Sequence, residues 1–141
     1  MNIKRIIEYR IKHPRFFGVL AIIWFMIMIY LLLFPSKDLP KVPLFPNMDK
    51  LIHFTLYFVF TFLSLFASSI KKSRNIPWII VLMFVICVTT EILQRIMPYG
   101  RSFDYYDMMA NSFGIIIGLL FFNYIKKQIK KLRIKKEPKG L

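Results

Sequence analysis

Four blocks of nearly unbroken apolar sequence, each about as long as a bilayer is thick, leave this chain few ways to fold. The first covers residues 16–34 and carries no charge. The second, residues 51–70, is interrupted only by His53 and a few hydroxyls, and the third runs from 76 to about 97 and is clean until Glu91. The fourth covers 108–125, with Asn111 and Asn123 as its strongest polar breaks. In lipid every backbone amide must bond within its own segment, so the blocks are expected to be helices.

A buried helix of a soluble protein is also apolar, but it sits in a chain with polar faces elsewhere. Here 57% of 141 residues are hydrophobic, and four such blocks leave almost no polar face. The first block follows a basic arm, as a cleaved signal peptide does. Its apolar core is longer than such a leader needs, and Pro35-Ser36-Lys37 is not a small-x-small cleavage site, so an uncleaved span is expected. The lone Cys87 permits no intrachain disulfide and reads as a packing residue.

The formal charge of +14 is explained by where the lysines and arginines lie. The arm over 1–15 carries Lys4, Arg5, Arg10, Lys12 and Arg15; the second connection carries Lys71, Lys72 and Arg74. The tail over 126–141 holds the densest run, from Lys126 to Lys139. The other two connections offset their basic residues with Asp38, Asp49, Asp104 and Asp107. Short basic loops stay cytoplasmic, so both termini are expected inside. The expected fold is all-α: a polytopic membrane protein with a four-helix domain over 16–125, a basic N-terminal arm and a basic tail. The tail would attract anionic headgroups. It lacks the interleaved aromatics and surrounding fold of a nucleic-acid arm, and no nucleic-acid partner is expected.

Helix punctuation agrees. Pro14 and Pro77 suit first turns, the latter after Asn75, and Asn47, Ser102 and Asp104 are plausible caps. The 35–46 connection, with Pro35, Pro40, Pro43 and Pro46, should be extended. The third span should end near Pro98 and Gly100.

Three polar clusters fall at the same end of three helices. Asp49, His53 and Tyr57 are spaced by four and share a face, with Lys50 beside them. Glu91, Gln94 and Arg95 follow at helical spacing on the third span. Asp104, Asp107, Asn111, Gly114 and Gly118 step by three or four along the fourth, and the two glycines permit close helix approach. His53, Glu91 and Asn111 lie at a common depth, one to two turns inside the expected outer boundary. Ionisable groups within spans cost about 2.5–3.5 kcal/mol near the centre, so these side chains should face the bundle interior and find partners. Arg95 or Arg101 is expected to pair with Glu91 or Asp107. Each residue also has a plain reading: Glu91 in a structural ion pair, His53 as a satisfied core residue, Asp104 and Asp107 as helix-entry residues, Asn111 as a helix cross-link. Trp24 and Trp78 read as packing residues or interface anchors. Their clustering at one depth is what points to a pocket.

The strings Asp49-Lys50-Leu51-Ile52-His53-Phe54 with Tyr57, then Glu91-Ile92-Leu93-Gln94, then Arg101-Ser102-Phe103-Asp104 followed by Asp107, Asn111, Gly114 and Gly118, resemble the VanZ-like family. The resemblance runs from about residue 46 to 120 in the expected order. It implies a small multi-helix membrane protein. The family's namesake is associated with low-level resistance to teicoplanin, a lipid-tailed glycopeptide acting outside the cell membrane. No molecular activity comes with the resemblance, because family membership does not fix function.

Three function classes follow. In the first, a multi-pass protein of the cell membrane binds a lipid or lipid-linked cell-wall headgroup in an outward pocket, with Lys50, Arg95 and Arg101 on phosphate and Asp and Asn residues on sugar or amine groups. In the second, an intramembrane enzyme acts on a phospholipid or polyprenyl-phosphate headgroup, with His53 or Glu91 moving protons. In the third, a small transporter or proton relay, the polar path should cross the membrane, and the clean cytoplasmic halves oppose it. No cofactor is expected. One histidine and scattered carboxylates are a weak metal signature, so no metal is expected either. Oligomeric state stays open.

Overall fold

The structure is a computed structural model that describes residues 14–33, 48–68, 75–97 and 104–136. Four helices carry them: α1 (Pro14–Leu33), α2 (Met48–Ala67), α3 (Ile76–Ile96) and α4 (Tyr105–Lys136). Among the described residues there is no strand. Each helix contains a stretch long and apolar enough to cross a membrane. The outer surface is correspondingly greasy: Trp78 is 75% exposed and Ile96 71%, with Ile22 and Leu120 also turned outward. Surfaces of this kind suit lipid rather than water, and the chain is a multi-pass membrane protein. The expected caps at Asn47 and Ser102, the 35–46 connection, the Pro98–Gly100 end and both terminal arms lie outside the described residues.

Helix starts follow the punctuation. Asn75 takes the N-cap place of α3 with Pro77 in the first turn, although its side chain makes no capping bond. Asp104 caps α4 through its side chain, its Oδ1 accepting from the Tyr106 amide at 2.8 Å. The fourth helix departs most from expectation. It begins three residues before the apolar block and runs 32 residues to Lys136, without a break where the basic tail begins. At about 1.5 Å per residue it is about 48 Å long, well beyond a hydrocarbon core of about 30 Å. Lysine and arginine are good helix formers, so nothing in the first turns of the tail stops the helix.

The most extensive helix pair is α2 with α4; α1 packs chiefly on α2, and α3 touches the other three more lightly. One apolar cluster, built on Met28, Leu32, Leu56, Phe60, Met83 and Ile115, draws on all four helices. A second, around Leu65, Phe66 and Phe122, closes the opposite end, where Phe17 meets Phe66 edge-on. Trp24 donates its Nε1–H to the Leu56 carbonyl at 3.0 Å and so ties α1 to α2, whereas Trp78 lies on the outer surface.

Gly114 and Gly118 set how near α4 comes to α2. A Cβ at Gly114 would lie 2.5 Å from the Phe54 carbonyl oxygen and 2.9 Å from the Phe58 amide nitrogen, and one at Gly118 would lie 3.0 Å from the Phe58 carbonyl oxygen. The obstacles are backbone atoms, so no rotamer change relieves them. Gly114→Ala should destabilise the bundle by about 1–3 kcal/mol, and Gly118→Ala by less. Unfolding by denaturing detergent measures both; equal stability of Gly114→Ala and the parent would contradict the close approach.

Candidate functional site

The clusters that the sequence places on separate helices meet at one end of the bundle. His53 on α2 and Asn111 on α4 are buried and face one another across the glycine-lined contact, with His53 Nδ1 and Asn111 Oδ1 3.1 Å apart. Asn111 also donates its Nδ2–H to Glu91 Oε1 on α3 at 3.1 Å. Glu91 is fully buried, and its Oε1 lies 3.8 Å from His53 Nδ1. Among the described residues its second oxygen, Oε2, has no hydrogen-bond partner. Three helices thus contribute one residue each to a contact that no water-exposed surface shares.

A second group lies toward the helix ends. The Lys50 ammonium is held by Asp49 at 2.7 Å, Asp104 at 3.0 Å and Asp107 at 3.1 Å. The Asp49 side chain is largely exposed, Asp104 about a third exposed, and Asp107 mostly buried, so the group grades from rim to interior. Asp107 joins the two groups: its Oδ1 accepts from Lys50, and its Oδ2 faces His53 Nε2 at 3.8 Å. The Tyr106 backbone amide, and after it the Lys50 ammonium, hold the Asp104 carboxyl below the usual carboxylate range.

Some expected members sit elsewhere. Gln94 is buried, but its Nε2–H goes to the Leu32 carbonyl of α1 at 2.8 Å, away from the cluster. Arg95 is exposed; among the described residues Glu91 is paired through Asn111 and Asp107 through Lys50, so the expected Arg95 ion pair is absent. One helical position separates Gln94 from Arg95, enough to turn one toward α1 and the other outward. Tyr57 is fully buried one turn deeper, its hydroxyl 2.7 Å from Thr90 Oγ1. Arg101 lies outside the described residues. The sequence reading missed Thr90, which also donates to the Cys87 carbonyl, and Thr61, whose buried hydroxyl has no partner among the described residues. The available signal was weak: hydroxyls are common in spans, and only Thr90's place beside Glu91 set it apart.

Against this geometry, a family model described as VanZ/LLP1 matches residues 7–126, most of the chain. The chain belongs to the VanZ/LLP1 family. An uncharacterised protein of the fission yeast Schizosaccharomyces pombe is 28% identical over 99 residues, covering 69% of this chain and 60% of that protein. The chain therefore spans less than two thirds of the length of that relative. No solved structure matches.

In this VanZ/LLP1 chain the cluster holds four carboxylates, Asp49, Asp104, Asp107 and Glu91, against the Lys50 ammonium and an ionisable His53. The oxygens of Asp49, Asp104 and Asp107 all lie within 4.8 Å of one another, a spacing that could hold a cation. The Lys50 ammonium already lies within hydrogen-bond distance of all three. A surplus of carboxylates favours hydroxyls, amines and cations as visitors, and leaves Lys50 as the described group suited to phosphate.

The charge at Asp104 has a consequence for pH. Because its folded-state pKa is depressed, the ionised group stabilises the start of α4 above the ordinary value of about 3.9, and that contribution is lost as pH falls through the lower folded-state value. Asp104→Asn keeps a capping acceptor but removes the charge. Its thermal midpoint in detergent should lie below the parent's at about pH 6, and the gap should close as pH falls through the depressed folded-state value. A gap that does not change with pH would show that the charge does nothing there.

Proposed function

We propose that the polar end of the bundle recognises the headgroup of a membrane lipid or lipid-linked intermediate, and that it faces the non-cytoplasmic leaflet. The observation that carries this reading is the buried His53–Asn111–Glu91 contact joined through Asp107 to the Lys50 group at the helix ends. Ionisable groups inside spans are costly and mark sites where polar ligands or ions are handled. Their place toward one end of the spans, beside an apolar outer surface where a lipid would place its tails, supports that reading. Lys50 and Arg101 would meet phosphate; Asp49, Asp104 and Asp107 would meet hydroxyl or amine groups. The similarity to a fungal protein favours a headgroup class that fungal membranes also contain over a component confined to bacterial cell walls. Any link to teicoplanin resistance would then follow from altered access to such a lipid. The facing leaflet rests on the distribution of basic residues among the connections.

A second reading, an intramembrane hydrolase acting on a phosphate-bearing headgroup, is favoured by one specific arrangement. His53 has the Asn111–Glu91 pair on one side and the Asp107 carboxylate on the other, the setting of a histidine that moves protons.

One preparation tests both. Lipids retained through purification are measured by mass spectrometry, and phosphate release is followed from phospholipids and polyprenyl phosphates. Asp107→Asn should reduce retention about tenfold or more, since charge-assisted hydrogen bonds contribute about 1.5–3 kcal/mol. Equal retention by folded Asp107→Asn and the parent would overturn the binding reading. Release that falls about 100-fold or more in His53→Gln with retention intact would select the enzyme.

A further inference from the structure

The outer face of α3 carries a groove that the polar end does not use. It is shallow and open, holds about 450 Å³, and is lined among the described residues by Ile80, Val81, Phe84, Val85, Val88 and Thr89. These fall in two rows of i, i+4 spacing, Ile80–Phe84–Val88 and Val81–Val85–Thr89, and the space between two such rows is a groove along the helix. Thr89 gives its hydroxyl hydrogen to the Val85 carbonyl at 2.7 Å, so the groove wall asks for no polar partner. The same face continues through exposed Ile92 to exposed Arg95 in the last turn of α3. At about 1.5 Å per residue, Ile80 lies about 22 Å from Arg95, more than half of a hydrocarbon core of about 30 Å.

Arg95 lacks a counter-charge among the described residues. Glu91, the one acid of α3, is buried and bound to Asn111, and the three aspartates hold Lys50. The helix dipole favours a cation in this last turn but supplies only part of a charge.

We propose that the α3 groove holds one extended acyl chain of a phosphate-bearing membrane lipid, with the lipid phosphate on the Arg95 guanidinium. The planar guanidinium matches phosphate in a paired geometry, and its stem lies along the apolar face while the head reaches the interface. The valines of the wall are stiff side chains, so a chain packing on them orders little that is not ordered already. A second copy of this protein fits the same face poorly. Copies in one membrane share an orientation, so a two-fold contact here sets Arg95 against Arg95 at one depth, where like charges repel in a medium of low dielectric. A lipid phosphate removes that conflict. The site lies outside the bundle and does not rest on the headgroup reading of its polar end.

The test uses the full chain in detergent, titrated with phosphatidylglycerol or with diacylglycerol of the same long chains, and bound lipid is counted by native mass spectrometry. The parent should bind phosphatidylglycerol about tenfold or more tightly than diacylglycerol, the gain expected of charge-assisted hydrogen bonds. Arg95→Gln should abolish that preference for one bound lipid, and Arg95→Lys should keep most of it. Val85→Phe fills the groove and leaves the charge, and should weaken the binding of both lipids. Arg95 and Val85 are exposed, so these substitutions leave the core packing untouched. Phosphatidylglycerol binding that is unchanged in Arg95→Gln, or unchanged in Val85→Phe, overturns the proposal. So does a dimer that forms without bound lipid and is lost in Val85→Phe, which would assign the face to a second copy. Asp107→Asn should leave the Arg95-dependent lipid in place, so failure of this site and failure of the polar-end reading are separate results.

Discussion

Close contact between α2 and α4 is the constraint on which the polar end depends. At Gly114 the space for a side chain is already filled by the backbone of α2 at Phe54 and Phe58. Small residues let transmembrane helices approach where no hydrophobic force draws them together. One turn from that contact, Asn111 reaches His53, and from the same place it reaches across to Glu91 on α3. Moving α4 outward by the width of a methyl group would stretch the first of these bonds and leave two ionisable side chains without their bridge.

That bridge matters because of where it lies. Glu91 and Asn111 are fully buried and His53 nearly so. An unpaired polar group in such a place costs several kcal/mol, and an unpaired charge costs more. The bundle meets this cost by pairing: Asn111 serves both neighbours at once, and Lys50 neutralises part of the carboxylate surplus nearer the surface. Among the described residues, Glu91 Oε2 and the Thr61 hydroxyl are left without partners. The polar groups grade from the largely exposed Asp49 at the rim to the fully buried Glu91 at the base.

Much of the fold was legible because lipid removes alternatives. Four apolar blocks of bilayer length permit little except four helices, and apart from the end of α4 the structure places them within a few residues of the expected bounds. The course of α4 beyond residue 125 was not legible, since charge marks a membrane boundary but not a helix end. Within the cluster, helical spacing identified the shared stripe of Asp107, Asn111, Gly114 and Gly118. It could not separate neighbours on a curved surface. Gln94 and Arg95 occupy adjacent positions, and only the actual crossing of α3 against α1 turns one inward to the Leu32 carbonyl and the other outward. The choice of cation was equally hidden. Of the two arginines expected to pair with the buried acids, Arg95 points outward and Arg101 lies outside the described residues, whereas Lys50, next to Asp49 on α2, brings its charge to Asp104 and Asp107.

The central claim is that side chains from α2, α3 and α4 form a single coupled network inside the bundle. A double-mutant cycle on Glu91→Ala and Asn111→Ala, read by unfolding in denaturing detergent, tests it most directly. A coupling free energy of about 0.5 kcal/mol or more is the expected result, given that interhelical hydrogen bonds in membranes average about 0.6 kcal/mol. Strict additivity of the two substitutions would mean that α3 and α4 hold their polar groups independently, and the network would not exist.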